Sequence, residues 1–337
     1  YGAVGNSAID PYQTIAGLSK YDYLFREDAS NKFFAYRPSM IPNKDLGWEI
    51  SRTANFGVDF GLWNNRISGY IEGYITKTSD LLMERMLPFF TGFSKVGQNI
   101  GKTENKGIEL TIQANTLKTK SFSWETTVTF ARNLNKITEL LGGGDIRNNS
   151  WFIGKPLQVH YNYEMIGVWQ LGEEKEAQKY GAIPGDIKVK DQNNDGSIGE
   201  LDKVILGQKD PKIIASLLNS FRFGAFDASI NLNMNFGSLI HPNTYASLIT
   251  RDGLRWMPSN FKYWTPDNPT NEYTRADKLS GYDPFAGTGG YMKGDYIKIQ
   301  DITLGYDFSK IMPKNWKILR ARLYAQVRNL GYIYKAC

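Results

Sequence analysis

Ser229-Ile230-Asn231-Leu232-Asn233-Met234-Asn235-Phe236 decides the fold. Every second residue is large and apolar, and those between are serine or asparagine. Successive side chains of a β-strand point to opposite faces, so this stretch has one apolar and one polar face. A helical period would scatter both sets around the axis. Upstream, Leu217, Phe221 and Phe223 run into a short turn at Gly224–Phe226. The pair reads as a β-hairpin.

The same signature recurs along the chain. Ala54, Phe56, Val58, Phe60 and Leu62 oppose Asn55, Gly57, Asp59 and Gly61. After the turn sequence Trp63–Asn65, Ile67, Ile71 and Ile75 share a face, with Ser68, Tyr70, Glu72, Tyr74 and Thr76 on the other. Asparagine tolerates the positive φ that tight hairpin turns require. Ile108, Leu110, Ile112 and Ala114 form another row, followed by a polar turn at Lys118–Ser121 and by Phe122, Trp124, Thr126, Val128 and Phe130. Ile302, Leu304, Tyr306 and Phe308 form a further row, as do Leu319, Ala321, Leu323, Ala325 and Val327. Only Glu173–Tyr180 reads as a short helix.

The connections alternate in length. Trp63–Asn65, Lys118–Ser121, Gly224–Phe226 and Ile311–Trp316 are short, while residues 1–46, 84–102, 141–212 and 239–293 are expected as long loops. Adjacent antiparallel strands put alternate connections at opposite ends. One end is therefore trimmed and the other elaborate, as in an outer-membrane barrel with short periplasmic turns and long extracellular loops. Three further features favour that reading over a soluble β-sandwich. The segments are long, the polar faces carry Glu72, Glu109 and Glu125, and Trp63, Phe122, Trp124, Tyr306 and Phe308 stand near strand ends where an interfacial girdle belongs.

Composition bounds the function. The 337 residues carry a net charge of +6 with lysines and arginines dispersed, which gives no basis for nucleic-acid binding. The one cysteine, Cys337, excludes an internal disulfide. No run of 18 apolar residues marks a transmembrane helix, which says nothing against membrane strands. Tyr1–Asp10 has neither a basic segment nor an apolar core, so no signal peptide is read there. No nucleophile-elbow, phosphate-loop or dinucleotide motif is present, and an enzyme is not expected. His160 and His241 stand 81 positions apart with no neighbouring Cys or His, which gives them no metal or catalytic assignment.

One stretch carries ion chemistry. In Asp191-Gln192-Asn193-Asn194-Asp195-Gly196-Ser197-Ile198-Gly199-Glu200-Leu201-Asp202, oxygen-bearing side chains occupy positions one, three, five, seven and twelve, with glycine at six. Calcium takes six to eight oxygens, and a loop of this spacing wraps them. Asp191, Asn193, Asp195, Ser197 and Asp202 are the candidate ligands and calcium the cofactor implied. Asp202 is shorter than the usual glutamate, and an ion-free Asn/Asp turn has the same composition. A second group of candidates is the set of loop aromatics: Trp151, Trp169, Trp256, Trp264, Tyr245, Tyr263, Tyr273, Tyr282 and Tyr291. They either line a substrate site or pack the loops, and no substrate-binding residue is singled out.

Seven stretches in order resemble the SusC-like (SusC/RagA-type) TonB-dependent outer-membrane transporters. They are GNSAIDPYQT (5–14), IPNKDLGWE (41–49), ISGYIEGYITKTSDLL (67–82), VGQNIGKTENKGIEL (96–110), PGDIKVKDQNNDGSIGELDKVILGQKDPK (184–212), YWTPDNP (263–269) and YIKIQDITLGYDF (296–308). The resemblance implies an all-β fold, with residues 1–337 an antiparallel transmembrane barrel segment of about nine to eleven strands, about half of a barrel of roughly 22. It implies import of an oligosaccharide, or of a peptide, across a Gram-negative outer membrane that the chain crosses many times. The implied partners are the remainder of the barrel and its plug, TonB acting through that plug, and a SusD-like surface lipoprotein over the loops. By the same resemblance the plug and the final strand are expected to be missing. A half-sheet with two open edges is not expected to insert alone. The competing reading is a soluble secreted β-module that binds glycans or surfaces through calcium-ordered loops. It would bury the apolar rows between two sheets.

Overall fold

The computed structural model describes residues 1–6, 14–15, 17–24, 32–249, 261–275, 285–309, 311–313, 318 and 320–336. In chain order the first strands are β1 (Gly2–Asn6), β2 (Leu18–Leu24), β3 (Lys32–Pro38), β4 (Glu49–Leu62), β5 (Ile67–Met86), β6 (Lys95–Lys118) and β7 (Phe122–Leu140). The next connection contains β8 (Val159–Tyr163), β9 (Met165–Val168), helix α1 (Glu174–Lys179), β10 (Ile187–Val189) and β11 (Lys203–Gln208). Then follow β12 (Ile213–Phe223), β13 (Phe226–Phe236), β14 (Leu239–Ile240), helix α2 (Asn243–Ile249), β15 (Met292–Lys293), β16 (Tyr296–Asp307) and β17 (Arg322–Lys335). The main sheet has the order β1-β4-β5-β6-β7-β12-β13-β16-β17 and is open, with β1 and β17 at its edges. Two compact units make up the chain: Tyr1–Ile112 with Ala131–Leu157, and Gln113–Phe130 with Gln158–Cys337.

In the first unit, β4 and β5 pair so that Ala54, Phe56, Val58, Phe60 and Leu62 stand opposite Ile75, Gly73, Ile71, Gly69 and Ile67. The turn between them holds Trp63, Asn64 and Asn65 at positive φ. At ~3.4 Å per residue, tilted ~45°, the stretch from Ala54 to Leu62 rises about 20 Å, close to the apolar band of an outer-membrane barrel. The next outward-facing pair is Arg52 opposite Lys77. Two cations side by side end the apolar row, because they cannot enter hydrocarbon.

In the second unit, apolar rows run as Phe226/Tyr306/Leu323, Ala228/Leu304/Ala325 and Ile230/Ile302/Val327 across β13, β16 and β17. A bulge at Asn231/Leu232 shifts the register, so Leu232 then meets Ile299 and Met234 meets Ile297. The sequence carries this as a phase slip: Ile297 and Ile299 are odd, Ile302 and Leu304 even, and the bulge keeps all four on one face. Asn219 interrupts the row. Its Oδ1 accepts from Trp124 Nε1 (2.9 Å) and Thr126 Oγ1 (2.8 Å), which supplies the partners a polar group needs where water is absent. Trp124 stacks on Phe221, and Tyr306 packs edge-on to both Phe226 and Phe308, all beside the short turns.

No residue of these apolar rows is buried; Phe56 is 76% exposed, Leu304 62% and Leu323 68%. Among the described residues no second sheet covers them. That arrangement contradicts a sandwich, in which the rows would form the core. The buried apolar side chains lie instead mainly toward the elaborate end: Val96, Ile100, Ile137 and Leu140 in the first unit, Val168, Trp169, Ala177 and Ile187 in the second.

The short turns at 63–65, 118–121 and 224–226 and the short helix stand where the sequence puts them. Part of Ile311–Trp316, together with Leu319 and Cys337, lies outside the described residues. Three expected loops are corrected. Residues 1–46 contain β1, which pairs with β4, and the β2–β3 hairpin. GAVGN has no alternation of its own, and the edge of β4 supplies its partner. Residues 84–102 are mostly strand, since β5 reaches Met86 and β6 starts at Lys95. With 20 and 24 residues, these two strands far exceed the 9–11 that cross a bilayer. Their outer halves bury only isolated residues, Thr78, Val96, Ile100 and Thr103, and so show no sustained apolar alternation. Residues 141–212 hold two small sheets, β8–β11 and β9–β10.

Candidate functional site

The polar face of the main sheet is assembled by register. Asp59 pairs with Tyr70 and Glu72 with Gly57, where the glutamate side chain lies 3.2 Å from the space a Cβ on Gly57 would take. In the second unit Arg322 grips Asp227 with two nitrogens, Nε to Oδ1 at 2.8 Å and Nη2 to Oδ2. Gly305, opposite Asp227 in register, leaves the space they need: a Cβ there would sit 2.6 Å from Nη2. Thr129 and Ser216 share a hydrogen bond on the same face. The described carboxylates and cations of this face are dispersed as wall polarity.

The loop structure between β7 and β12 is built around Trp169, which is 4% exposed. It stacks on Tyr180 at 6.0 Å and packs with Ala177 of α1 and Ala182. Lys188 Nζ sits 4.3 Å over its ring and bonds Glu173 at 2.7 Å. That bond and the Gln170 N–H hold the Glu173 carboxyl below the usual range.

A second segment, 261–275, docks on this structure through two glycines. Gly185, at φ +91°, leaves no room for a side chain: a Cβ would stand 2.6 Å from Arg275 Cβ and 2.7 Å from Trp264 Cε3. Gly167, at φ +146°, faces Asn271 Oδ1 in the same way, at 2.7 Å. Trp264, 6% exposed, donates Nε1–H to Gln170 Oε1 at 2.8 Å. Arg275 Nε meets Asp186 Oδ1 at 2.9 Å, and the Arg275 N–H donates to Gly185 O. Pro184-Gly185-Asp186 and Tyr263-Trp264-Thr265-Pro266, parts of two of the seven stretches that are landmarks of the resemblance, thus meet. Trp169 and Trp264 pack the loops, while Trp151 bridges to Ile146 in the first unit. Trp256 and Tyr282 lie outside the described residues.

The 191–202 stretch closes on itself. Asp191 accepts from the N–H groups of Asn194 (2.7 Å) and Gly196 (2.9 Å), Asn193 Oδ1 from Asp195, and Asp195 Oδ1 from the Ser197 N–H and hydroxyl. The Ser197 hydroxyl and the Asn193 amide lower the Asp195 pKa. Asp202 is buried and turned to the N–H groups of Gln192 (2.8 Å) and Gly199 (2.7 Å). Among the described residues, Asp191, Asp195 and Asp202 do not form a three-carboxylate cluster. Asp202 braces the loop, and the oxygens with spare lone pairs are those of Asp191, Asn193, Asp195 and Ser197.

Two groupings were not readable from spacing. His160 and His241 converge on Tyr291, with ring centroids 5.1 and 4.3 Å from it. Each imidazole Nε2 lies 2.9 Å from a carbonyl oxygen, of Leu239 and Gly289 respectively. Tyr245, Phe261, Tyr263 and Tyr273 form an aromatic cluster with centroids 4.9–6.2 Å apart.

Residues 20–330 match the family described as TonB dependent receptor-like, β-barrel. The chain belongs to this family. It is 29% identical to TonB-dependent receptor P3 of Formosa agariphila over 98% of its length and 34% of that protein. It is 29% identical to TonB-dependent receptor SusC of Bacteroides thetaiotaomicron over 87% of its length and 29% of that protein. The solved RagAB peptide transporter has the same fold, with a TM-score of 0.76 at 22% identity, covering 98% of this chain and 36% of that one. The chain spans about a third of the length of the curated relatives it matches.

Proposed function

We propose that this chain forms wall and loop surface of a TonB-dependent importer in the outer membrane of a Gram-negative bacterium, crossing the bilayer many times. The uncovered apolar rows carry the reading: they match the hydrocarbon in height and end at Arg52 and Lys77. The opposite, polar face lines the path of the solute. The solute is an oligosaccharide, with a peptide the second class. The remainder of the barrel and its plug complete the pore, TonB acts through the plug, and a SusD-like lipoprotein covers the loop end.

Three measurements test this. The intact protein should fractionate with the outer membrane. A surface lipoprotein should co-purify with it. A strain lacking it should lose TonB-dependent uptake of one oligosaccharide or peptide. Recovery of the protein as a soluble species would overturn the reading.

Calcium at Asp191, Asn193, Asp195 and Ser197 is a separate proposal, with the ion stiffening a loop already closed by its own hydrogen bonds. Calorimetry of the chelated protein should give a calcium-binding heat that N193A with D195A removes. No heat in the parent would refute it.

A further inference from the structure

A cavity of about 860 Å³ opens between the β13–β14 corner, α2 and the far ends of β16 and β17. Its volume falls within the range of small-ligand sites. Tyr245, Tyr296, Tyr332, Lys209, Lys335 and Asn235 contribute to its lining. Register puts Asn235, Tyr296 and Lys335 in one row and Lys298 and Tyr332 in the next-but-one, all on the polar face. Tyr296 and Tyr332 meet edge to face at 5.7 Å. Lys298 and Lys335 hold their ammonium groups 5.9 and 6.0 Å from the Tyr332 ring.

The charge here is unbalanced. Among the described residues none of Lys209, Lys298 and Lys335 forms an ion pair. The one lining carboxylate, Asp295, spends Oδ1 on the Gly237 N–H at 2.6 Å. Lys188 and Lys203, by contrast, each hold a carboxylate, of Glu173 and Glu200. Lys209 and Lys335 in the lining, with Lys298 beside the Tyr332 ring, leave unpaired cations next to aromatic rings, a site for an anion that also carries a flat face.

We propose that this cavity binds an acidic oligosaccharide, one bearing uronate or sulfate groups. The tyrosine rings stack on the sugar faces, Asn235 and Ser238 hydrogen-bond hydroxyls, and Lys209, Lys298 and Lys335 take the anionic groups. An acidic peptide fits less well. Its carboxylates suit the lysines, but it brings no flat ring face to the tyrosines. The inference rests on reading the polar face as the solute path.

The test is calorimetry on the intact protein in detergent, with tetragalacturonate, a sulfated tetrasaccharide, neutral maltotetraose and tetraglutamate as probes. At least one of the two acidic glycans should bind, more weakly as salt rises, and more tightly than maltotetraose or tetraglutamate. K298Q with K335Q should weaken it roughly ten-fold or more, and Y332L should weaken it too. Unchanged heat-dependent gel mobility checks that each variant is folded. Equal or tighter binding of maltotetraose, tighter binding of tetraglutamate, no binding of any probe, or full affinity in the lysine variant would overturn the proposal. If a neutral glycan or a peptide is nonetheless taken up only by cells that carry the protein, the importer reading stands and the acidic ligand alone falls.

Discussion

Replacing Gly185 by alanine should undock the 261–275 segment. The new methyl carbon would stand 2.6 Å from Arg275 Cβ, 2.7 Å from Arg275 Cδ and 2.7 Å from Trp264 Cε3. These atoms cannot step aside cheaply. Trp264 is buried and tied to Gln170, and Arg275 is tied to Asp186 through its side chain and to Gly185 itself through its backbone. Overpacking of this kind costs ~1–3 kcal/mol, and holding alanine at φ +91° adds about 1 kcal/mol. The sum of ~2–4 kcal/mol raises the undocked population roughly 30- to 900-fold. Trypsin reads this directly, because Lys262 and Arg275 flank the docked turn and cleavage follows the open population. Gly172 supplies the control: it has the same φ of +91° and nothing within 4 Å of a built Cβ. Gly172→Ala should carry the dihedral cost alone. If G185A and G172A are cleaved at the same rate, the close approach of the two landmarks is wrong.

Three further outcomes are expected. Ile71→Arg, in the middle of the outward row of β5, should cost ~2–4 kcal/mol and cut the membrane-assembled, heat-modifiable fraction, while Tyr70→Arg on the polar face should not. Trp264→Phe strands the Gln170 carbonyl oxygen and should cost ~1–3 kcal/mol, measured by the same tryptic cleavage after Lys262. Burial, opposed by the Leu239 carbonyl and reinforced by Lys209 and His241, holds His160 below its ordinary pKa. Its neutral form therefore supports the fold above about pH 6.5, and that support is lost as pH falls from there through the lower folded value. Corrected for the intrinsic slowing of exchange with falling pH, the amide protection of residues 239–241 should drop between pH 7.5 and 5.5, and H160Q should abolish the drop.

The wall was legible because burial against lipid imposes a period of two on residues such as Ile230, Leu232, Met234 and Phe236. The tight turns were legible for the same local reason: Asn64, Asn65 and Gly224 supply the positive φ. In the outer half of β6 only isolated apolar residues, Val96 and Ile100, are buried, so no sustained period is imposed and the strand reads as loop. β1 was invisible because its strand character comes from the edge of β4. The loop site was illegible for another reason. Gly185 and Trp264 are 79 positions apart, as are His160 and Leu239, and no local pattern reports a contact over that distance. The 191–202 spacing shows which oxygens are present but not where each is spent: Asp202 gives its carboxylate to backbone N–H groups.

The buried apolar residues gather mainly toward the elaborate end, while the wall leaves its own apolar rows uncovered. The protein is therefore held together in two different solvents. Trp169, Ala177 and Ile187 are kept inside by the hydrophobic effect in water, which urea weakens. The rows of β13 and β16 have no such drive, since hydrocarbon surrounds them, and their strands are secured by ladder hydrogen bonds that lipid cannot replace. Mild urea should thus melt the loop structure while the strands keep their spectroscopic signature. A preparation that looks intact by gel mobility or far-ultraviolet dichroism can already have lost the surface that recognises anything.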